Sequence, residues 1–173
     1  MKSVDHQTLV NAISEKLKGS LVPPNWASYV KTGHGKQRPP VNPDWWSVRS
    51  AAILLSVQKL GPVGVSKLSV KYGNRKNRGM QPEKFATASR NIIRKILQQL
   101  ESLGYIKQEA KDVHKGRVLT QEGLKLVNDC SKEAKTIQKP VKVAKVESTV
   151  AAEKPQGNQG KDHRTKEKKD KKE

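Results

Sequence analysis

The sequence predicts a mainly α-helical domain carrying one small β-hairpin, followed by a disordered basic tail. Three observations lead there. Apolar residues recur every three or four positions in several long segments, glycine or proline closes most of them, and residues 136–173 contain no aromatic side chain. At 173 residues the chain is long enough for one domain with a real core.

Asp5 is placed to cap a first helix running to about Lys18, with Leu9, Ile13 and Leu17 as its apolar stripe and Gly19 as a left-handed stop. Pro23-Pro24 restarts the chain, and Asn25 can cap a short turn bearing Trp26 and Tyr29. Residues 31–43 read as a loop with two glycines, three prolines and Lys31, Lys36 and Arg38.

Asp44 opens the most apolar helix, which ends at Leu60 before Gly61-Pro62. Trp45, Val48, Ala52 and Leu55 form one row, and Ile53, Val57 and Leu60 widen it. So broad an apolar arc implies neighbours on more than one side. Trp45 and Leu60 are therefore assigned to the core, and Trp46 is left open between core and surface.

A short helix from Ser66 to Tyr72 turns Leu68 inward. Ser89 can cap a further helix, Arg90–Leu103, whose Ile92, Ile96, Leu100 and Leu103 face the core before Gly104 ends it. Tyr105–Glu109 and Arg117–Leu119 suggest two strands about a polar turn. Thr120 then caps a last helix, with Leu119 and Leu124 placed as a hydrophobic staple and Leu124 and Val127 inward. The order helix, short helix, helix, hairpin is similar to a winged helix. It carries an added N-terminal helix, and a long basic loop is inserted before the third helix of the motif. The boundary is drawn at 135; residues 136–173 cannot bury enough apolar area to offset their ordering entropy and are read as a disordered basic extension.

Charge indicates the partner. The chain holds 35 Lys/Arg against 16 Asp/Glu, net +19, and residues 1–135 alone hold 24 against 10. The excess thus belongs to the folded part, which needs an external counter-charge, nucleic acid before an anionic membrane. The densest stretch is Lys71-Tyr-Gly-Asn-Arg-Lys-Asn-Arg-Gly-Met-Gln-Pro82, whose glycines and proline rule out a helix and read as a loop. From Lys67 to Lys95 stand Lys67, Lys71, Arg75, Lys76, Arg78, Lys84, Arg90, Arg94 and Lys95, with Glu83 the only acid. A solvated surface would interleave acids three or four residues away; this one does not. Arginine also suits phosphate through its planar fork. Tyr72 and Phe85 flank the loop and read as pins for its ends. Arg49, among apolar neighbours on the central helix, either reaches toward RNA or bonds loop carbonyls, the second being favoured.

Other chemistries find little support. His6, His34, His114 and His163 are scattered without zinc spacing, and Cys130 lacks an activating partner, so no catalytic set, metal or cofactor is expected. Gly33-His-Gly35-Lys36 lacks the remaining residues of a phosphate-binding loop. One cysteine excludes an internal disulfide and fits a reducing compartment. The N-terminus lacks a secretory apolar region, and the longest apolar run, Ala51–Leu55, cannot span a bilayer. Neither a membrane nor a small-molecule substrate is expected.

Five blocks together resemble a known family: Asp44-Trp-Trp-Ser-Val-Arg-Ser-Ala-Ala52, Gly61-Pro-Val-Gly-Val65, Lys71 to Pro82, Ile93-Arg-Lys-Ile-Leu-Gln-Gln-Leu-Glu101 and Gly116-Arg-Val-Leu-Thr-Gln-Glu-Gly123. Their order and spacing resemble small-subunit ribosomal protein nineteen of the archaeal and eukaryotic type, over about Val4 to Lys135. The resemblance implies a winged-helix-like protein in the head of the small subunit, bound to small-subunit rRNA beside neighbouring head proteins, and a role in late rRNA maturation. It implies a cytosolic ribosome, with nucleolar passage in a eukaryotic host. The family's RNA contacts fall on Arg49, the Arg75–Arg78 loop and Arg94-Lys95, and a further family cation falls at Leu55 here. The alternative from topology alone is a winged-helix DNA-binding regulator. It would place its reading residues on the helix rather than on the loop.

Overall fold

The computed structural model describes residues 4–137 except residue 112, and the side chains of residues 111 and 135–137 are left aside. The extension expected from 136 onward lies, from residue 138, outside the described residues. The first helix, α1 (His6–Lys18), begins where the Asp5 carboxylate accepts the backbone N–H groups of Gln7 and Thr8, each at 3.2 Å. Those bonds, Thr8 foremost, hold the Asp5 carboxyl below its ordinary pKa of 3.8. At the other end the expected left-handed glycine is absent: Gly19 has φ −74°. The carbonyl of Leu17 instead receives the N–H groups of Ser20 and Leu21, at 3.1 and 3.0 Å, which closes the helix without positive φ. The turn expected at Asn25 is a 3-10 helix, Asn25–Ser28.

Helix α2 (Trp45–Leu60) is wrapped almost all round, and its innermost row differs from the one expected. Trp46 is the core tryptophan, 2% exposed, while Trp45 is only half-buried and packs edge-on against it at 5.3 Å. The reason is visible in the serines. Ser50 is fully buried one turn after Trp46, its hydroxyl donating to the Trp46 carbonyl at 2.8 Å. A reading that treats serine as a surface residue shifts the inner face by one position. Trp46 Nε1 donates to Gln99 Oε1 at 2.9 Å, and Gln99 Nε2 donates to the Val22 carbonyl at 2.7 Å, so the buried indole N–H is satisfied. Leu60, assigned to the core, is 40% exposed because it is the last residue of the helix, where fewer neighbours surround it. Asp44 makes no side-chain cap; its carboxylate is drawn 2.6 Å from Lys18 Nζ.

After α3 (Val65–Lys71), the stretch read as a loop is a second β-hairpin, β1 (Asn74–Arg78) and β2 (Gln81–Ala86). Asn74 pairs with Ala86, Arg75 with Phe85 and Lys76 with Lys84, with an irregularity before Arg78 and Gln81. Gly79 turns the chain at φ 68°, and its N–H is taken by Asn77 Oδ1 at 2.8 Å. Pro82 is tolerated because each strand of a two-stranded ribbon has a free edge. At the hairpin's root a Cβ on Gly73 would meet the Ala86 carbonyl at 2.8 Å, so only glycine lets the two strands close.

Helix α4 (Arg90–Ser102) buries Ile92, Ile93, Ile96, Leu97 and Leu100, with Ile96 and Leu100 fully enclosed as expected. Ser89 stands at its N-terminus without a side-chain cap; its N–H donates to the Thr32 carbonyl at 3.0 Å. Gly104 (φ 75°) leads into β3 (Ile106–Lys111) and β4 (His114–Leu119), strands longer than the sequence suggested. Val63 bridges to Arg117 through two backbone hydrogen bonds of 3.2 and 3.0 Å, adding a short third edge to this wing. Thr120 caps α5 (Gln121–Ile137) by accepting the Gly123 N–H at 3.3 Å, and the helix turns Val127, Cys130 and Ala134 inward, packing on α1. The fold is a mainly α, winged-helix-like domain with helices added before and after it and an extra hairpin before α4.

Candidate nucleic-acid interface

The extra hairpin does not stand alone. It is bolted to the segment 31–43 by a backbone bridge between Gly33 and Ala88, by Asn74 Nδ2 donating to the Gly35 carbonyl at 3.2 Å, and by Lys76 Nζ on His34 Nε2 at 2.9 Å. Between hairpin and segment runs a groove of about 710 Å³ lined by Lys31, His34, Lys36, Arg75 and Lys76, with Glu83 its single acid. Glu83 lies 3.9 Å from Arg75 and both are exposed, so the pair neutralises little.

A second groove of about 390 Å³ opens between the same segment and α2, lined by Lys36, Arg38, Asn42, Trp45, Val48 and Arg49 among others, with no acid. Lys36 lines both grooves, and the two are taken together as one cationic trough. The sequence reading placed Lys31, Lys36 and Arg38 in a loop and left them out of the site. The signal was there: three cations and no acid between residues 31 and 43.

Arg49 bonds no loop carbonyl. Its guanidinium carbon sits 4.9 Å from the centroid of the Tyr72 ring, and it has no hydrogen-bond or ion-pair partner among the described residues. Burial pulls its pKa below the ordinary guanidinium value, and burial pushes the Tyr72 phenol up, opposed by its bond to Ser56. Tyr72 OH and Lys71 Nζ meet Ser56 Oγ at 2.9 and 2.7 Å. Tyr72 is thereby held against the core, whereas Phe85 is largely exposed.

The remaining expected cations divide. Lys71 leans to a different depression, shared with His6, Leu55 and Lys59, rather than to the trough. Arg78 is at the hairpin tip, its guanidinium on Gln81 Oε1. Arg90, Arg94 and Lys95 project to solvent from α4, and Lys67 from α3. Arg117, by contrast, is structural: its Nε is buried 3.5 Å from Glu101 Oε2 without hydrogen-bond geometry.

Elsewhere, Cys130 is enclosed in α5 and burial raises its thiol pKa, which lowers its thiolate fraction. Among the described residues no three His, Cys, Asp or Glu side chains cluster as metal ligands, and no helix is long and apolar enough to cross a membrane.

Comparison with known proteins identifies one family. The family described as Ribosomal protein S19e matches residues 1–138. Small ribosomal subunit protein eS19 of Thermoplasma acidophilum is 38% identical over 135 residues, 77% of this chain and 87% of the relative. That of Aeropyrum pernix is 40% identical over 129 residues, covering 72% and 82%. Small ribosomal subunit protein eS19G of Ascaris suum is 39% identical over 127 residues, covering 72% and 84%. With a match across most of the chain and relatives from archaea and an animal aligned along most of their length, this chain belongs to the S19e family of ribosomal proteins.

Proposed function

We propose that this chain is a structural constituent of the small ribosomal subunit that binds small-subunit rRNA through the trough shared by β1–β2, segment 31–43 and α2. The observation that carries the reading is Lys36, which joins two grooves that hold six cations and one acid between them. Phosphate recognition needs only such a fixed array of positive groups. Arg78 at the hairpin tip and Arg90, Arg94 and Lys95 on α4 extend the contact, and Lys67 and Lys71 supply flanking charge. Duplex RNA hides its base edges in a deep, narrow major groove, so backbone and shape are what this surface reads wherever the RNA is paired. Neighbouring proteins of the subunit head are the further partners, with service in rRNA maturation and assembly on a cytosolic ribosome. Family membership supports each of these roles.

Filter binding of a small-subunit rRNA transcript and of duplex DNA at matched salt tests the reading. RNA is expected to bind tighter, with affinity falling roughly a thousandfold between 50 and 200 mM salt if six to eight phosphates are neutralised. Equal or tighter duplex DNA binding would favour a winged-helix DNA regulator instead.

A further inference from the structure

The two grooves that Lys36 joins differ in chemistry. The larger one is lined by polar side chains and one glycine and suits a bare sugar–phosphate strand. The other has an apolar floor: Trp45, Val48 and Ala52, at i, i+3 and i+7 of α2, form a row along the helix left only half-buried. Lys36, Arg38 and Arg49 line the same groove, and Thr32 and Asn42 add neutral hydrogen-bonding groups. A bare phosphate has no use for the floor, and an apolar peptide has no use for three unopposed cations. A nucleotide with its base unstacked uses both.

We propose that the groove beside Trp45 receives one unpaired nucleotide of the bound RNA. Its base lies on the Trp45–Val48–Ala52 floor and its phosphate at the cationic rim. The proposal rests on the RNA-binding reading above and names the class of ligand taken at one end of the trough. Two features prepare the site. The Trp45 ring is set by its edge contact with Trp46, centroids 5.3 Å apart at 76°, so little freedom is lost when a base packs on it. The Arg49 guanidinium is held over Tyr72 and has no hydrogen-bond or ion-pair partner to surrender among the described residues. The volume, about 390 Å³, falls within the range of small-ligand sites.

The test uses the full chain and two RNA hairpins identical except at one bulge, which carries adenosine in one and an abasic residue in the other. The phosphate is the same in both, so the difference reports the base alone. The adenosine bulge is expected to bind roughly tenfold tighter, the scale of one base–aromatic contact. That preference should vanish in Trp45→Ala, persist in part in Trp45→Phe, and vanish also in Ala52→Met, which fills the floor while keeping every aromatic ring. Circular dichroism checks that each variant is folded, and Ala52→Met keeps the test decisive if Trp45→Ala is not. Equal affinity of the wild-type chain for both bulges would overturn the proposal while leaving RNA binding intact. So would a preference that survives Ala52→Met. Failure to bind either hairpin would remove the RNA-binding reading itself.

Discussion

The guanidinium of Arg49 rests 4.9 Å from the centre of the Tyr72 ring, half-buried and without a hydrogen-bond or ion-pair partner among the described residues. Desolvation of such a cation is offset only in part by a ring face, worth about 0.5–2 kcal/mol. Arg49→Ala is therefore expected to leave the thermal midpoint within a few degrees of wild type while lowering rRNA affinity several-fold. Lysine, lacking the planar fork, should restore affinity only in part. Thermal melts beside filter binding check this; a variant that unfolds would make Arg49 a structural arginine.

Trp46 and Trp45 separate core from groove. Trp46→Ala removes a fully enclosed ring and orphans Gln99, so unfolding in urea should show a loss of about 3–5 kcal/mol. Trp45→Ala should cost less than half as much. Equal losses would mean that Trp45 shares the core after all.

How much of this was legible beforehand depends on where each feature is encoded. Helix α4 announces itself because Ile92, Ile96 and Leu100 repeat at the helical period with charges opposite them. The inner face of α2 was displaced because its row includes Ser50, whose hydroxyl is satisfied by the helix's own backbone and so sits in the core at little cost. The hairpin β1–β2 left no alternating apolar pattern, since most of its residues face solvent and no side of it needs apolar residues. Its cations were still identifiable by charge alone. The part of the site supplied by Lys31, Lys36 and Arg38 was hidden for another reason. It exists only because residues 31–43 dock on the hairpin through Gly33, His34 and Gly35, a contact between positions some forty or more residues apart in sequence.

The hairpin carries charge without carrying the core. Changing Arg75, Lys76 and Arg78 together to alanine should shift the melting temperature by only a few degrees. It should reduce the slope of log affinity against log salt by roughly two to three. Incorporation into small subunits, followed by sedimentation, should fall in parallel. An unfolded triple variant would show that the cluster is structural.

Asp5 gives α1 a pH-dependent start. Its folded pKa is depressed, so the cap's contribution is fully present above the ordinary value of 3.8 and is lost as pH falls through the lower folded value. Urea midpoints measured from pH 5 downward should drop less steeply for Asp5→Asn than for wild type. Parallel curves would mean that the carboxylate contributes nothing as an N-cap.

Lysine acetylation rates, compared between the free chain and the chain within purified small subunits, probe the trough most directly. Lys31, Lys36 and Lys76 are expected to react freely in isolation and to be strongly protected in the subunit. If all three react as fast in the particle as in the free protein, no RNA lies in the trough, and the proposed mode of binding is wrong.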